Sequence, residues 1–153
     1  LINVRLAADA VGATKMDRPE WGAINPVNGE VYMTLTNNSN RGLTGSSGAP
    51  LDPANPRFYS DTKGAATSRG NVNGHIIRWK ETGGDPAAGA FSWDVYLFGA
   101  QASVDAGGDN TDYQANVNLS GLGADNAFSS PDGLWVSQKP PGLYSRAMKK
   151  HGR

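Results

Sequence analysis

The chain has 153 residues, with 14 basic and 14 acidic side chains and no cysteine. Balanced charge gives no general attraction for nucleic acid or an anionic membrane, and the missing cysteine excludes disulfides and thiolate metal sites within these residues. The hydrophobic fraction is 38%, with 20 glycines and 9 prolines, which is typical of short strands joined by many turns. No apolar run of about 18 residues is present, so no membrane span is predicted.

The amino-terminal segment has the pattern of a short helix. The first dozen residues can form one, and Gly12 would end it. Leu1 opens directly into polar sequence, without the basic and then apolar regions of a signal peptide. Because the chain also lacks an initiator methionine, we interpret it as an internal fragment of a longer protein.

A β-hairpin is predicted next, from residues 21–24 and 30–36. Asn28-Gly29 between them favours a turn, because both residues readily take positive φ. In the second strand, apolar side chains alternate with Tyr32 and Thr34, which predicts two distinct faces.

Arg18-Pro19-Glu20 stands just before this hairpin. Proline biases the residue ahead of it towards an extended conformation, so Arg18 and Glu20 should face the same way. The pair is then either a salt bridge or an anion-binding arginine beside a metal ligand. Residue types alone favour the salt bridge.

The rest of the chain is predicted to be one further hairpin, a last strand and long loops. Residues 37–68 and 99–125 are polar and glycine-rich and are interpreted as loops. Residues 74–80 and 91–99 form the second hairpin candidate, and residues 130–136 a turn followed by a strand. Aromatic side chains in these strands are expected to pack in the hairpin core or across strands, at Tyr32, Trp79, Trp93, Tyr96 and Phe98.

A weak internal repeat links the two ends of this pattern. Arg18-Pro19-Glu20 and Ser130-Pro131-Asp132 each place a proline and a carboxylate before a short apolar strand. Such hairpins suit successive blades of a β-propeller, whose strands begin at a shared central channel. A β-sandwich remains an alternative on composition.

Few residues suggest catalysis. The two histidines are His75, interpreted as a surface or loop residue, and His151 near the carboxyl end. No nucleophile elbow, phosphate-binding loop or zinc-binding helix motif is present. Residues 105–112 resemble a calcium loop in composition but lack its closing glutamate, so a linker is favoured.

Oxygen-ligand chemistry remains. Glu20 and Asp132, each following a proline, could ligate one hard cation, and Asn37 and Asn38 offer neutral oxygen ligands. The alternative is that Glu20 pairs with Arg18 and that Asp132 caps a turn, which residue types alone favour.

Four ordered blocks resemble the PhoX-type bacterial alkaline phosphatases. They are KMDRPEW (residues 15–21), GEVY (29–32) with TLTNN (34–38), NGHIIRW (73–79) and FSSPDGLW (128–135). The resemblance implies an all-β fold, with this chain supplying about two to three blades of a propeller of about six. It also implies a periplasmic or secreted phosphomonoesterase that uses ferric iron and calcium.

Residue roles follow from the same resemblance. Arg18 matches the arginine that holds the substrate phosphate, Glu20 an iron ligand and Asp132 a calcium ligand. The family's bridging cysteine and a further glutamate lie in earlier blades that this chain lacks, so the isolated chain should have little activity. A partial propeller would also leave strand edges unpaired, which favours self-association.

Two further expectations concern organisation and an alternative function. Residues 1–136 are assigned to the propeller fragment, and residues 137–153 to a basic tail with a foreign or frame-shifted origin. The alternative function is a non-catalytic β-rich binding module, in which Arg18 and Glu20 form a structural ion pair.

Overall fold

The computed structural model describes residues 3–43, 48–63, 65–101, 117–138 and 141–147. Its elements are helix α1 (Val4–Ala10) and strands β1 (Pro19–Ile24), β2 (Val31–Leu35), β3 (Tyr59–Lys63), β4 (Ala66–Gly70), β5 (His75–Glu81), β6 (Phe91–Phe98), β7 (Pro131–Gln138) and β8 (Pro141–Ala147), with a 3-10 turn at Thr82–Gly84. The described chain is therefore mainly β-structure, as predicted.

The main sheet has four antiparallel strands in the order β1-β2-β5-β6. Both predicted hairpins are confirmed, as β1–β2 and β5–β6. The central pairing of β2 with β5 joins them, with Leu35 opposite His75 and Val31 opposite Trp79. Four antiparallel strands in this order are compatible with one propeller blade. The described strands do not close into a barrel, and both the propeller and its number of blades stay predictions.

The prediction of a continuous loop over residues 37–68 is wrong, because β3 and β4 form a hairpin there. Tyr59 pairs with Gly70 and Ser60 with Arg69. These strands are polar, so they lack the alternation of apolar residues that identifies a half-buried strand. One anchor is Tyr59, which is fully buried and whose hydroxyl accepts hydrogen bonds from Asn73.

The predicted strand over residues 130–136 is confirmed as β7, which pairs with β8. Val136 stands opposite Leu143 in this hairpin. Strand β8 lies within the segment interpreted above as a tail.

One face of the main sheet packs against the β7–β8 hairpin. The buried centre of this contact is Tyr32, Ile76 and Leu134, with Phe128, Val136 and Leu143 packed around it. Tyr32 meets Tyr96 edge to face, with ring centroids 5.1 Å apart, so the predicted aromatic packing of this pair is confirmed.

The opposite face of the sheet carries an open apolar groove of about 480 Å³, lined by Thr14, Met16, Met33, Ala54, Ile77, Trp79, Phe91 and Trp93. Trp79 and Trp93 stand opposite each other in register, as a hairpin core pair would. Trp93 nevertheless keeps 45% of its surface exposed, because no described segment covers this part of the sheet.

Helix α1 lies on the surface, and none of its residues is buried. The predicted helix is confirmed, and Gly12 with φ +65° follows its end. No helix among the described residues is both long and apolar enough to cross a membrane.

Candidate functional site

Two residues that precede prolines share an unusual backbone conformation. Among the described non-glycine residues, only Arg18 (φ 28°) and Ser130 (φ 51°) have positive φ. The extended conformation predicted for Arg18 is therefore wrong. Such a backbone costs about 1–3 kcal/mol and persists only where surrounding contacts enforce it. The same strained geometry thus recurs in both proline-carboxylate motifs.

Contacts with the residues that directly follow β2 hold both the backbone and the side chain of Arg18. Its carbonyl oxygen accepts a 3.3 Å hydrogen bond from the Thr36 amide. Its guanidinium Nη1 donates to the backbone oxygen and to Oδ1 of Asn37, each at 3.3 Å. Asn37, interpreted above as a candidate ligand, therefore serves as an acceptor for Arg18.

The Arg18–Glu20 ion pair is long and solvent-exposed. Nη2 of Arg18 lies 4.0 Å from Oε1 of Glu20, and the side chains are 55% and 38% exposed. Exposed pairs of this kind contribute about 0–1 kcal/mol. The ion pair is therefore present but weak, and it leaves the guanidinium accessible to an anion.

Thr34 joins the two proline-carboxylate motifs. Its fully buried hydroxyl accepts a 3.0 Å hydrogen bond from the Trp21 amide and donates at 2.8 Å to the carbonyl oxygen of Asp132. Trp21 directly follows Glu20, so a single side chain brings the backbones of both predicted metal-ligand segments together.

The donor types suit a hard cation, but the described residues do not complete a site for one. Glu20 and Asp132 offer the carboxylate oxygens that calcium and ferric iron accept. Across the described part of the chain, however, no group of three or more histidine and acidic side chains is arranged to hold a metal ion. Further ligands would have to come from elsewhere.

The residue that precedes Arg18 in the chain carries a buried carboxylate. Asp17 is fully buried, and its Oδ1 accepts hydrogen bonds from Nε of Arg41 at 2.8 Å and from Nδ2 of Asn38 at 2.7 Å. Its Oδ2 accepts a third from Nδ2 of Asn71 at 3.0 Å. Asn38, the other neutral ligand candidate, therefore donates to Asp17 through its amide nitrogen.

Arg41 is fully buried and has two carboxylate partners. Besides Asp17, its Nη1 lies 3.3 Å from Oδ2 of Asp52. It also donates to the backbone oxygens of Lys15 and Pro50. Burying a charge is costly unless it is paired and hydrogen-bonded, and Arg41 meets both conditions.

His75 is buried in β5, so its interpretation as a surface or loop residue is wrong. Nε2 lies 2.7 Å from the carbonyl oxygen of Ala54, which can only accept, so Nε2 carries the proton. Nδ1 then accepts from Nδ2 of Asn71 at 2.9 Å. Burial, followed by repulsion from Arg57, lowers the pKa of His75 to about 4 and keeps the ring neutral.

A second buried arginine, Arg57, joins the same hydrogen-bond network through Asn71. Arg57 donates to the carbonyl oxygens of Gly99 and Val117, both at 2.8 Å, and to Oδ1 of Asn71 at 3.0 Å. Its guanidinium also lies 4.8 Å from the ring centroid of Phe98. Phe98 therefore packs against the buried guanidinium of Arg57.

Sequence reasoning missed the roles of Asp17, Arg41 and Arg57. The two arginines fall in the segment interpreted as a loop, and their partners are distant in the chain. No local pattern identifies them. Residues 105–112 and His151 lie outside the described residues.

The chain is similar to known proteins in both sequence and structure. A family model described as alkaline phosphatase PhoX matches residues 1–141. Among solved structures, the chain is similar to Pseudomonas fluorescens PhoX in complex with vanadate, a transition state analogue, at 36% identity and a TM-score of 0.69. That match covers 95% of this chain but 21% of the other, so the chain spans about a fifth of its length. No curated protein matches.

Proposed function

Because the chain belongs to the PhoX family of alkaline phosphatases, we propose that it is part of an enzyme that hydrolyses phosphate monoesters. The observation that carries this proposal is the accessible guanidinium of Arg18. It donates hydrogen bonds to Asn37 and lies near the Glu20 carboxylate. An alkaline phosphatase needs a fixed cation to bind the phosphoryl oxygens, and these contacts fit that need.

Arg18 is the proposed phosphate-binding residue. A guanidinium stays charged at alkaline pH and can donate two parallel hydrogen bonds to phosphate oxygens. Asn37 holds one of its nitrogens, while the weak 4.0 Å contact with Glu20 leaves Nη2 able to turn towards an anion. Substrate phosphate would thus displace little existing structure.

Glu20 and Asp132 are the proposed metal ligands, Glu20 for iron and Asp132 for calcium. Bound Fe3+ and Ca2+ would supply positive charge that stabilises the phosphoryl group in its transition state. These two residues hold part of such a cofactor, and the remaining ligands belong to the rest of the enzyme. We therefore expect the isolated chain to have little or no activity.

The proposed enzyme is a propeller of about six blades. The domain assigned to residues 1–136, as about two to three blades, would extend further along the chain, because β7 reaches Gln138 and β8 pairs with it. The proposed location is the periplasm or the extracellular medium. Without its neighbouring blades, the chain would self-associate through its strand edges and its apolar groove, which sedimentation velocity at several concentrations would detect.

The test uses the full-length enzyme that contains this chain. Arg18→Ala and Glu20→Gln should abolish p-nitrophenyl phosphate hydrolysis, because each removes a charge from the proposed site. Arg5→Ala, on the exposed helix α1, and Glu81→Gln, at the end of β5, are matched controls that should retain activity. Wild-type rates for both site variants would refute the assigned roles.

A second candidate function is a non-catalytic binding module. The existing Arg18–Glu20 ion pair and the lack of a three-residue metal cluster in the described segments favour it. Metal analysis separates the two functions. A purified chain that is folded by circular dichroism yet binds neither iron nor calcium, together with an inactive full-length protein, would support the binding module.

A further inference from the structure

A partly buried hydrogen bond connects the segment of Arg18 with the segment of its acceptor Asn37. Asp17 precedes Arg18, and Asn38 follows Asn37, the acceptor of the Arg18 guanidinium. Oδ1 of Asp17 accepts a 2.7 Å hydrogen bond from Nδ2 of Asn38. The carboxylate of Asp17 therefore fixes the distance between Arg18 and Asn37, whose oxygens accept hydrogen bonds from the Arg18 guanidinium.

The backbone of Arg18 also depends on its neighbours. Its φ of 28°, just before a proline, is a conformation that arginine rarely adopts. On one side, the amide of Asp17 donates a 2.9 Å hydrogen bond to Oδ1 of Asn55. On the other, the carbonyl oxygen of Arg18 accepts from Thr36. These contacts enforce the strained backbone of Arg18. The fully buried side chain of Asp17 holds this segment in place.

We propose that Asp17 is a positioning residue for phosphate binding by Arg18. This inference rests on the proposed function, in which Arg18 binds the substrate phosphate. Asp17 itself is buried and touches no phosphate. It acts through the peptide that it shares with Arg18 and through Asn38, which sets the place of Asn37.

The proposal has a physical basis in the geometry of arginine–phosphate pairs. Two parallel hydrogen bonds form only when the guanidinium plane and the phosphate oxygens are aligned. A displacement of about 1 Å can reduce a rate by about 100-fold. A flexible Arg18 would keep its charge but lose this alignment.

The experiment measures binding of inorganic phosphate to the full-length protein by isothermal titration calorimetry. Asp17→Asn removes the carboxylate charge and should weaken phosphate binding by about tenfold or more. Asp94→Asn is its control, because it also removes a carboxylate from an arginine, Arg78, but contacts neither Arg18 nor Asn38. It should leave phosphate affinity within about twofold of wild type. Equal losses in the two variants would overturn the proposal.

Asn38→Ala tests the same connection without disturbing the buried ion pair, and it decides the matter if Asp17→Asn does not fold. Asn28→Ala is its control. Both asparagines accept a hydrogen bond from the amide two residues later, but Asn38 alone of the two also donates to Asp17. Asn38→Ala should weaken phosphate binding by about tenfold, and Asn28→Ala should not. No difference between them would overturn the proposal.

An Arg18→Ala background separates positioning from a general structural effect. There, adding Asn38→Ala should change phosphate affinity by less than about twofold, because its effect passes through Arg18. A tenfold effect that persists would overturn the proposal. Hydrolysis of p-nitrophenyl phosphate, measured on the same proteins, tests the proposed function separately. Wild-type protein that binds phosphate through Arg18 but does not hydrolyse the ester would refute only the proposed function.

Discussion

The Thr34 hydroxyl donates a 2.8 Å hydrogen bond to the carbonyl oxygen of Asp132, although 98 residues separate them in the chain. The same hydroxyl accepts from the amide of Trp21. One buried side chain thus joins two motifs whose similarity is visible in the sequence, and it relates the positions of the proposed ligands Glu20 and Asp132.

Replacing Thr34 with valine keeps its shape but removes its hydrogen bonds with Trp21 and Asp132. Loss of these partly buried hydrogen bonds should lower the free energy of unfolding by about 1 kcal/mol. The spacing of the two motifs should also loosen, and the full-length protein should retain less calcium and iron. Thermal unfolding and elemental analysis measure the two effects. Thr34→Ser, which keeps the hydroxyl, should restore most of each.

Thr36→Val is the matched control for this prediction. Thr36 is also buried, but its hydroxyl finds no hydrogen-bond partner in the part of the chain that the structure describes. The valine should therefore be neutral or slightly stabilising. If Thr34→Val behaves like Thr36→Val, the bridge contributes nothing to stability or metal retention.

His75 should make the protein sensitive to acid. Its pKa is lowered from 6.5 to about 4 in the folded state, so the unfolded chain binds a proton first as the pH falls. The stability that neutral His75 provides is complete above pH 6.5 and is lost between about pH 6.5 and 4, by about 3 kcal/mol. Thermal unfolding across this range measures the loss.

His75→Gln should flatten the dependence on pH in that range, because glutamine does not titrate. It should also lower stability at pH 7.5, since it cannot reproduce both hydrogen bonds of the ring, to Asn71 and Ala54. His151→Gln, which changes the other histidine of the chain, serves as the control. A wild-type slope in His75→Gln would contradict this account.

Tyr32 should act in the opposite direction at high pH. Its hydroxyl donates a 2.6 Å hydrogen bond to Oε2 of Glu30, and burial, assisted by that contact, raises its pKa from 10 to about 12. The unfolded chain therefore loses the proton first, so this stability is complete below pH 10 and is lost between about pH 10 and 12. Tyr32→Phe should be less stable at pH 8 but lose less stability between pH 10 and 12. An equal loss in both proteins would refute the assignment.

The sequence predicts the elements whose patterns are local. Val31, Met33 and Leu35 alternate with polar or aromatic residues, so β2 is evident, and Asn28-Gly29 marks its turn. The β3–β4 hairpin has polar strands, and its order depends on tertiary contacts of Tyr59. Such contacts are invisible to a periodicity argument.

The site is less predictable because its geometry depends on distant partners. The rule for residues before proline predicts an extended Arg18, but hydrogen bonds from distant parts of the chain enforce positive φ instead. Asp17 and Arg41 are 24 residues apart, so although Asp17 lies within the KMDRPEW block, no pattern in the sequence pairs it with Arg41. The proposed metal roles of Glu20 and Asp132 depend on family resemblance, because two carboxylates alone do not specify a metal.

Gly70 should be intolerant of any side chain. Its φ is +97°, and a Cβ there would meet the carbonyl oxygen of Asn38, whose backbone pairs with Asn71. Gly70→Ala must therefore strain its own backbone and displace Asn38 from Asp17, so the loss of stability should exceed the roughly 1–3 kcal/mol of backbone strain alone. Thermal unfolding gives the stability, and calorimetry gives phosphate affinity. Gly121→Ala is the control, because Gly121 also has positive φ but a Cβ there meets nothing within 4 Å. It should show the backbone cost alone and unchanged phosphate binding, and a Gly70→Ala protein indistinguishable from it would show that the contact with Asn38 has no effect.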